Sequence, residues 1–243
     1  MMNLKRRLRF CLENTYDLQY SKRSYKSGGV ILNEKLLEIT KIEIQKKNRD
    51  RMSIYINEEF AFGVHKDIAF KFNLEVGKKL DIDFIEKIIK TEEQNKANNY
   101  ALKLLSYRPR SEKEIIDKMK GKGYDEEIIN GTIDYLKNFG YVNDKDFAVD
   151  FAKGKSGKFG PNRIKIELVR KGVDDNIIDE IIKEEFDEKI EYNNALKAAK
   201  KKIKSYKGDD RNTIYRKLGS YLQRKGYSYD IVAKVLREVL ELD

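Results

Sequence analysis

A lysine–glycine pair recurs three times at nearly constant spacing, and this constrains the fold more than any other feature. The pairs are Lys122-Gly123, Lys171-Gly172 and Lys225-Gly226, with glycines 49 and 54 residues apart. Apolar side chains keep register with each glycine. Eight residues before it stand Ile115, Ile164 and Leu218, and four before it Met119, Leu168 and Leu222. Five, six and ten residues after it stand Ile128, Ile177 and Ile231; Ile129, Ile178 and Val232; and Ile133, Ile182 and Leu236. Such steps put side chains on one face of a helix. The chain therefore holds an internal repeat of about fifty residues. Upstream segments at 97–106, 146–153 and 193–204 supply a further helix to each, making three-helix modules.

Backbone geometry accounts for the glycine without a ligand: it stands where a left-handed residue ends a helix. Ser111, with Glu114 three residues on, forms a capping box for the second helix of the first module. Asp125, Asp174 and Ser228 are placed to cap the third helices, and Asn143 and Asp144 the helix carrying Phe147 and Ala148. Within Tyr135–Asp144, Gly140 breaks the helix, and Tyr141 and Val142 re-enter the core.

The period changes upstream. Ile39, Ile42 and Ile44 precede a basic turn. Met52, Ile54 and Ile56 then alternate with polar residues, as do Phe60, Phe62 and Val64 after a turn at Asn57, Glu58 and Glu59. Period-two alternation means strands, here a three-stranded antiparallel meander whose apolar face needs a cover. Ile68, Phe70, Phe72 and Leu74 predict a short helix or turn over 67–80, broken at Gly77. A helix over 81–95, with Ile82, Ile85, Ile88 and Ile89 on one face, leads onward. The expected organisation is a basic tail at 1–36, meander and connecting helix at 37–96, and repeats at 97–144, 145–190 and 191–243. The tail has a net charge of +5 and is either disordered or a basic arm for phosphates. The fold class is mainly α, with tandem three-helix repeats in an elongated array behind a small antiparallel β meander. Charged residues at 38% suit such an extended form.

The formal charge of +10 points to an anionic partner, but the charge is not uniform. Net charge is +6 over 153–171, −7 over 174–191 and +9 over 193–227. An acidic block of that size does not suit a uniformly basic nucleic-acid glove. It suits a protein–protein surface of complementary charge. A lone cysteine, Cys11, allows no internal disulfide, no apolar run is long enough for a membrane span, and the N-terminus lacks a signal-peptide pattern. A cytoplasmic monomer is expected.

Catalytic constellations are missing. His65, at the end of the third alternating run, reads as structural or solvated. One histidine and one cysteine cannot build a nitrogen–sulfur zinc site. No phosphate-loop or dinucleotide-binding motif is present. The run Gly157-Lys158-Phe159-Gly160-Pro161 lies between helices, and reads as a loop presenting Lys155, Lys158 and Arg163. Asp144, Asp146, Asp179, Glu180, Glu184 and Glu185 read as solvated faces. No cofactor and no enzymatic activity are expected.

Taken together, Leu105, Arg108, Arg110, Ser111, Glu114, Met119, Lys122-Gly123, Leu136, Gly140-Tyr141, Asn143-Asp144 and Phe147-Ala148, followed by Gly160, Arg163, Ile164, Glu167-Leu168 and Lys171-Gly172, resemble the RecX family of bacterial recombination regulators. The likeness is close over 97–187 and looser in the third repeat; the first 36 residues lie outside it. It implies a curved array of modules that docks along the RecA–DNA filament and modulates, usually inhibits, its recombinase, ATPase and co-protease activities. No catalytic residue is implied. The residues expected to face acidic groups of the filament or its DNA are Lys155, Lys158, Arg163, Lys165, Arg170 and Lys171, with Lys200, Lys201, Lys202, Arg216 and Arg224. The rival reading is a helix-turn-helix-like protein that binds single- or double-stranded DNA directly through basic second helices, with affinity that falls steeply with salt.

Overall fold

The computed structural model describes residues 37–240; the basic tail expected at 1–36 lies outside the described residues. The chain divides into two compact units between residues 95 and 96.

The first unit is built on the expected meander: β1 (Leu37–Gln45), β2 (Asn48–Ile56) and β3 (Glu59–His65). A fourth strand, β4 (Lys79–Leu80), follows helix α1 (Lys66–Lys71) and gives the antiparallel order β3-β2-β1-β4. It pairs Leu80 with Leu37, and its two residues are too few to show alternation in sequence. The β2–β3 turn holds only Asn57 and Glu58, both at positive φ (+49° and +73°), which matches the twist of a tight hairpin. Phe60 departs from the expected face: it is 52% exposed, whereas Phe62 and Val64 are buried. Tyr55 pairs with Phe60 and its neighbour Ile54 with Phe62, so β3 carries one extra residue, a bulge that turns Phe60 outward. His65 caps α1, its Nδ1 accepting from the Asp67 N–H at 3.3 Å.

The helices expected over 81–95 and 97–106 are one, α2 (Ile82–Tyr107). The apolar stripe lapses between them, but residues 91–99 hold no glycine or proline to break the helix. Ile85, Ile88 and Ile89 join the sheet's core, and Ala97 and Ala101 join that of the first module. Glu92 is buried in the first unit, accepting from Arg51 at 2.6 Å and from the His65 N–H at 2.8 Å.

The second unit is three modules. The first is completed by α3 (Glu112–Lys122) and α4 (Glu126–Asn138). The second holds α5 (Asp144–Ser156), α6 (Pro161–Arg170) and α7 (Asp175–Glu185). The third holds α8 (Glu188–Ile203), a 3-10 turn (Lys204–Tyr206), α9 (Arg211–Arg224) and α10 (Tyr229–Val239). Each has its own core. The residues four and eight before each glycine are buried in all three, and an alanine pair on the first helix meets them: Ala97 and Ala101, Ala148 and Ala152, Ala195 and Ala199. Small side chains let that helix lie close against the hairpin. The capping box at Ser111 is present and Asp174 accepts from the Asn176 N–H; Asp125 and Ser228 hold the cap positions without a side-chain bond. Tyr141, expected in the core, is 53% exposed and stacks on Phe139. Gly140, at φ +69°, turns the chain so that Val142 fills the buried position instead.

The modules meet through the repeated pair. All three joint glycines are left-handed, at φ +88°, +80° and +89°. The Lys171 carbonyl accepts from Ser111 Oγ at 2.7 Å, at the amino end of α3. In the next joint the Lys225 carbonyl accepts from the Gly160 N–H at 2.8 Å and the Gly226 carbonyl from the Asn162 N–H at 3.1 Å, at the amino end of α6. Ser111 and Gly160 are equivalent, each twelve residues before its own joint glycine. The carboxyl end of one module's second helix thus seats on the amino end of the preceding module's second helix. Opposite partial charges meet, and in the second joint N–H groups at the helix start, with no partner in their own helix, are satisfied.

The second of these joints is a backbone-to-backbone contact. A Cβ on Gly226 would lie 2.3 Å from the Arg163 nitrogen, whereas one on Gly123 would meet nothing within 4 Å. Both glycines share the left-handed cost of about 1 kcal/mol for alanine. Gly123→Ala should therefore lower the midpoint of urea unfolding slightly. Gly226→Ala should add a steric penalty of about 2 kcal/mol or more and act mainly on the third module. Equal losses, followed by circular dichroism, would contradict the close joint.

Candidate cationic interface

The expected cations fall into three groups. Four are held by carboxylates: Arg163 by Glu167 at 3.0 Å, Lys165 by Asp179 at 2.5 Å, Lys200 by Glu238 at 3.3 Å and Lys171 by Glu114 at 2.9 Å. Two lie over aromatic rings: Lys155 over Phe151, and Lys202 over Tyr206 and Tyr221. The side chains of Lys158, Arg170, Lys201, Arg216 and Arg224 are exposed, with no carboxylate or ring partner among the described residues. Density of charge along the sequence could not make this division, because Asp179 and Glu238 come from other helices.

Lys171 holds the first joint together. Its ammonium reaches Glu114 and lies 5.6 Å from the Phe147 ring centre and 5.3 Å from that of Phe151. Glu114 also takes both terminal nitrogens of Arg108, at 2.9 and 3.1 Å. Burial alone would raise this carboxyl, but the hydrogen bonds from Arg108 and Lys171 outweigh it and hold it at about 2. Beside it Asp144 accepts from the Glu112 N–H at 2.8 Å, which caps α3 from the next module. Burial pushes Asp144 upward in spite of that bond.

The second joint carries residues that charge density did not mark. Lys225 donates to the Lys158 carbonyl at 2.6 Å and lies between two rings, 5.3 Å from the centre of Phe159 and 5.5 Å from that of Tyr221. Arg163 stands over Phe159 at 6.0 Å. Lys202 lies 5.6 Å from Tyr221 and 5.2 Å from Tyr206, and Lys217 is 5.8 Å from Tyr206. The result is an unbroken alternation, Arg163–Phe159–Lys225–Tyr221–Lys202–Tyr206–Lys217, crossing from the second module to the third. Burial, and then Lys201 nearby, lower the Lys225 amine below its ordinary value. The one sequence signal for Lys225 was its place in the repeated pair. Among the described residues no group of three or more histidine, cysteine, aspartate or glutamate side chains could hold a metal, and no helix is long and apolar enough to cross a membrane.

This is a helical-repeat protein with a leading antiparallel sheet, held together by polar joints and displaying unpaired cations. Four domain profiles match it in order. They are the Regulatory protein RecX N-terminal domain over 37–81, and the first, second and third RecX three-helix domains over 97–136, 143–182 and 189–236. The Regulatory protein RecX of Clostridioides difficile strain 630 is 37% identical over 207 residues, covering 84% of this chain and 97% of the relative. That of Clostridium tetani is 35% identical, covering 86% and 97%. A crystal structure of regulatory protein RecX is similar with a TM-score of 0.69 at 27% identity, over 86% of this chain and all of the other. The crystal structure of RecX from Lactobacillus salivarius gives 0.57 at 30% identity, over 63% of this chain and 99% of the other. The chain belongs to the RecX family of regulatory proteins.

The Glu114 hub sets an acid dependence. Its carboxyl ionises near 2 when folded and at an ordinary 4.5 when unfolded, so its contribution is complete above pH 4.5 and disappears as pH falls towards 2. Its size is at most about 3 kcal/mol. Glu114→Gln should be destabilised relative to the parent at pH 7, with the gap closing between pH 5 and 2 in chemical unfolding. A gap that does not change with pH would contradict the ion-pair origin.

Proposed function

We propose that this chain regulates RecA without chemistry of its own: it docks on the RecA–DNA filament and inhibits the recombinase, ATPase and co-protease activities. It thereby acts in DNA repair, recombination and the SOS response, as a cytoplasmic monomer. The observation that carries this reading is the complete, ordered set of four RecX domains, with relatives matched over nearly their whole length. The unpaired cations support it, since a filament of protein and nucleic acid offers acidic groups in regular array. Direct contact with DNA is part of the same reading. Helix-turn-helix docking through the second helices of the first two modules is not favoured, because the amino ends of α3 and α6 are covered by the following module.

The test is RecA's single-strand-dependent ATPase with the protein added. Lys158, Arg170, Lys201, Arg216 and Arg224 are the informative positions; Lys171 would disturb the joint through Glu114. Charge reversal at Arg170, Lys201 and Arg224 should raise the concentration for half-inhibition roughly tenfold, most strongly at low salt, and leave helical content unchanged. Undiminished inhibition would remove this surface from the account, and a wild-type protein without effect on RecA would remove the function.

A further inference from the structure

The alternating row of cations and rings across the second joint has more in it than cohesion of the fold requires. Each cation–ring contact at a partly exposed site stabilises only slightly. Carboxylates neutralise the two ends of the row, Arg163 with Glu167 at 3.0 Å and Lys217 with Asp209 at 2.7 Å. Yet Lys202 and Lys225, at its centre, have no carboxylate partner. Lys201 and Lys158 add positive charge alongside, also unpaired. Three half-buried rings hold the ammonium groups in fixed order and keep much of their donor capacity free. Ordered cations without carboxylate partners form an electrostatic track for a flexible polyanionic strand.

We propose that this row is a contact for single-stranded nucleic acid, made to the phosphate backbone and independent of base sequence. The proposal deepens the filament reading by naming which part of the protein meets the nucleic-acid strand. An acidic protein segment fits less well. Each ring already has two cations near it, and the charge left without a carboxylate at the centre of the row is that of the Lys202 and Lys225 ammonium groups. Closely and evenly spaced phosphates match such a row without any particular side-chain sequence. A duplex is the weaker ligand, because a stiff double helix can touch a short row through only a few phosphates.

The experiment is fluorescence anisotropy of a labelled thirty-nucleotide oligo(dT) with the full chain, as a function of salt. A duplex of equal length and poly-L-glutamate are the comparison ligands, and RecA ATPase inhibition is measured in parallel. Replacing Lys201 and Lys202 with glutamine should weaken oligo(dT) binding about tenfold or more and make the salt slope shallower by about 1.4, about 0.7 for each lost phosphate contact. Lys120→Gln together with Lys122→Gln, on the first module, should leave both unchanged. Tyr221→Leu keeps every charge but removes the ring between Lys202 and Lys225; affinity should fall at an unchanged slope, and Tyr221→Phe should restore it. Circular dichroism confirms that each variant is folded.

Unchanged binding in the folded lysine variants overturns the assignment. So does binding of the duplex or of poly-L-glutamate as tight as that of oligo(dT), the latter transferring the row to an acidic protein partner. Absence of oligo(dT) binding with RecA inhibition intact would sink the strand contact alone. Binding without inhibition would sink the regulatory reading and leave the contact standing.

Discussion

Two backbone carbonyls, those of Lys225 and Gly226, seated on the amino end of α6, are the contact on which the arrangement of the second and third modules depends. Such a contact is possible only because both residues that face each other, Gly160 and Gly226, lack side chains; a Cβ on Gly160 would lie 2.4 Å from the Gly226 oxygen. The joint between the first two modules repeats the plan with a serine hydroxyl in place of a backbone N–H, and a lysine–glutamate pair supports it. In both, the negative end of one helix meets the positive end of another. The modules do not share a continuous apolar core. Each closes its own, and polar contacts fix how the next one is set.

This division of labour decides where function can lie. In the two pairs that lie between modules the lysine is drawn inward: Lys171 to Glu114 and two phenylalanine rings, Lys225 to a carbonyl and two further rings; Lys122 of the first pair is exposed. Lys171 and Lys225 therefore belong to the architecture, and both are poor choices for probing a partner surface. Other cations, Arg170, Arg216 and Arg224 among them, depend on no internal contact and can be changed without disturbing the joints. Lys225 belongs to both sets. It ties the joint and stands at the centre of the cation–ring row, so a strand bound there would act on a contact that sets the third module against the second.

Much of the helical fold was legible because each repeat imposes two hard requirements at fixed spacing. One is a residue able to adopt positive φ, and the other is an apolar side chain one and two turns before it. The alanine pairs escaped because they lie on a helix joined by connections of unequal length; Ala97, Ala148 and Ala195 stand 26, 24 and 31 residues before their glycines. The partner half of the joint escaped because Ser111 and Gly160 do the same work with different chemistry. In the sheet, a two-residue strand and a single bulge defeat a period-two reading, and α2 shows that an interrupted apolar stripe is no evidence of an interrupted helix. The interface was legible only as charge. Whether a lysine meets a carboxylate, a ring or water is set by residues tens of positions away, as Phe159, Tyr221 and Lys225 show.

Backbone groups join the three modules into one body. Residue-resolved amide hydrogen exchange of Gly160 and Asn162 tests this most directly, since both N–H groups sit at a loop and helix start and would exchange fast if they faced solvent. Protection comparable to that of the interior amides of α6 and α9 is expected, lost only when those helices unfold. Rapid exchange at Gly160 and Asn162, with α6 and α9 still protected, would contradict it and leave the modules as independent bodies on a string.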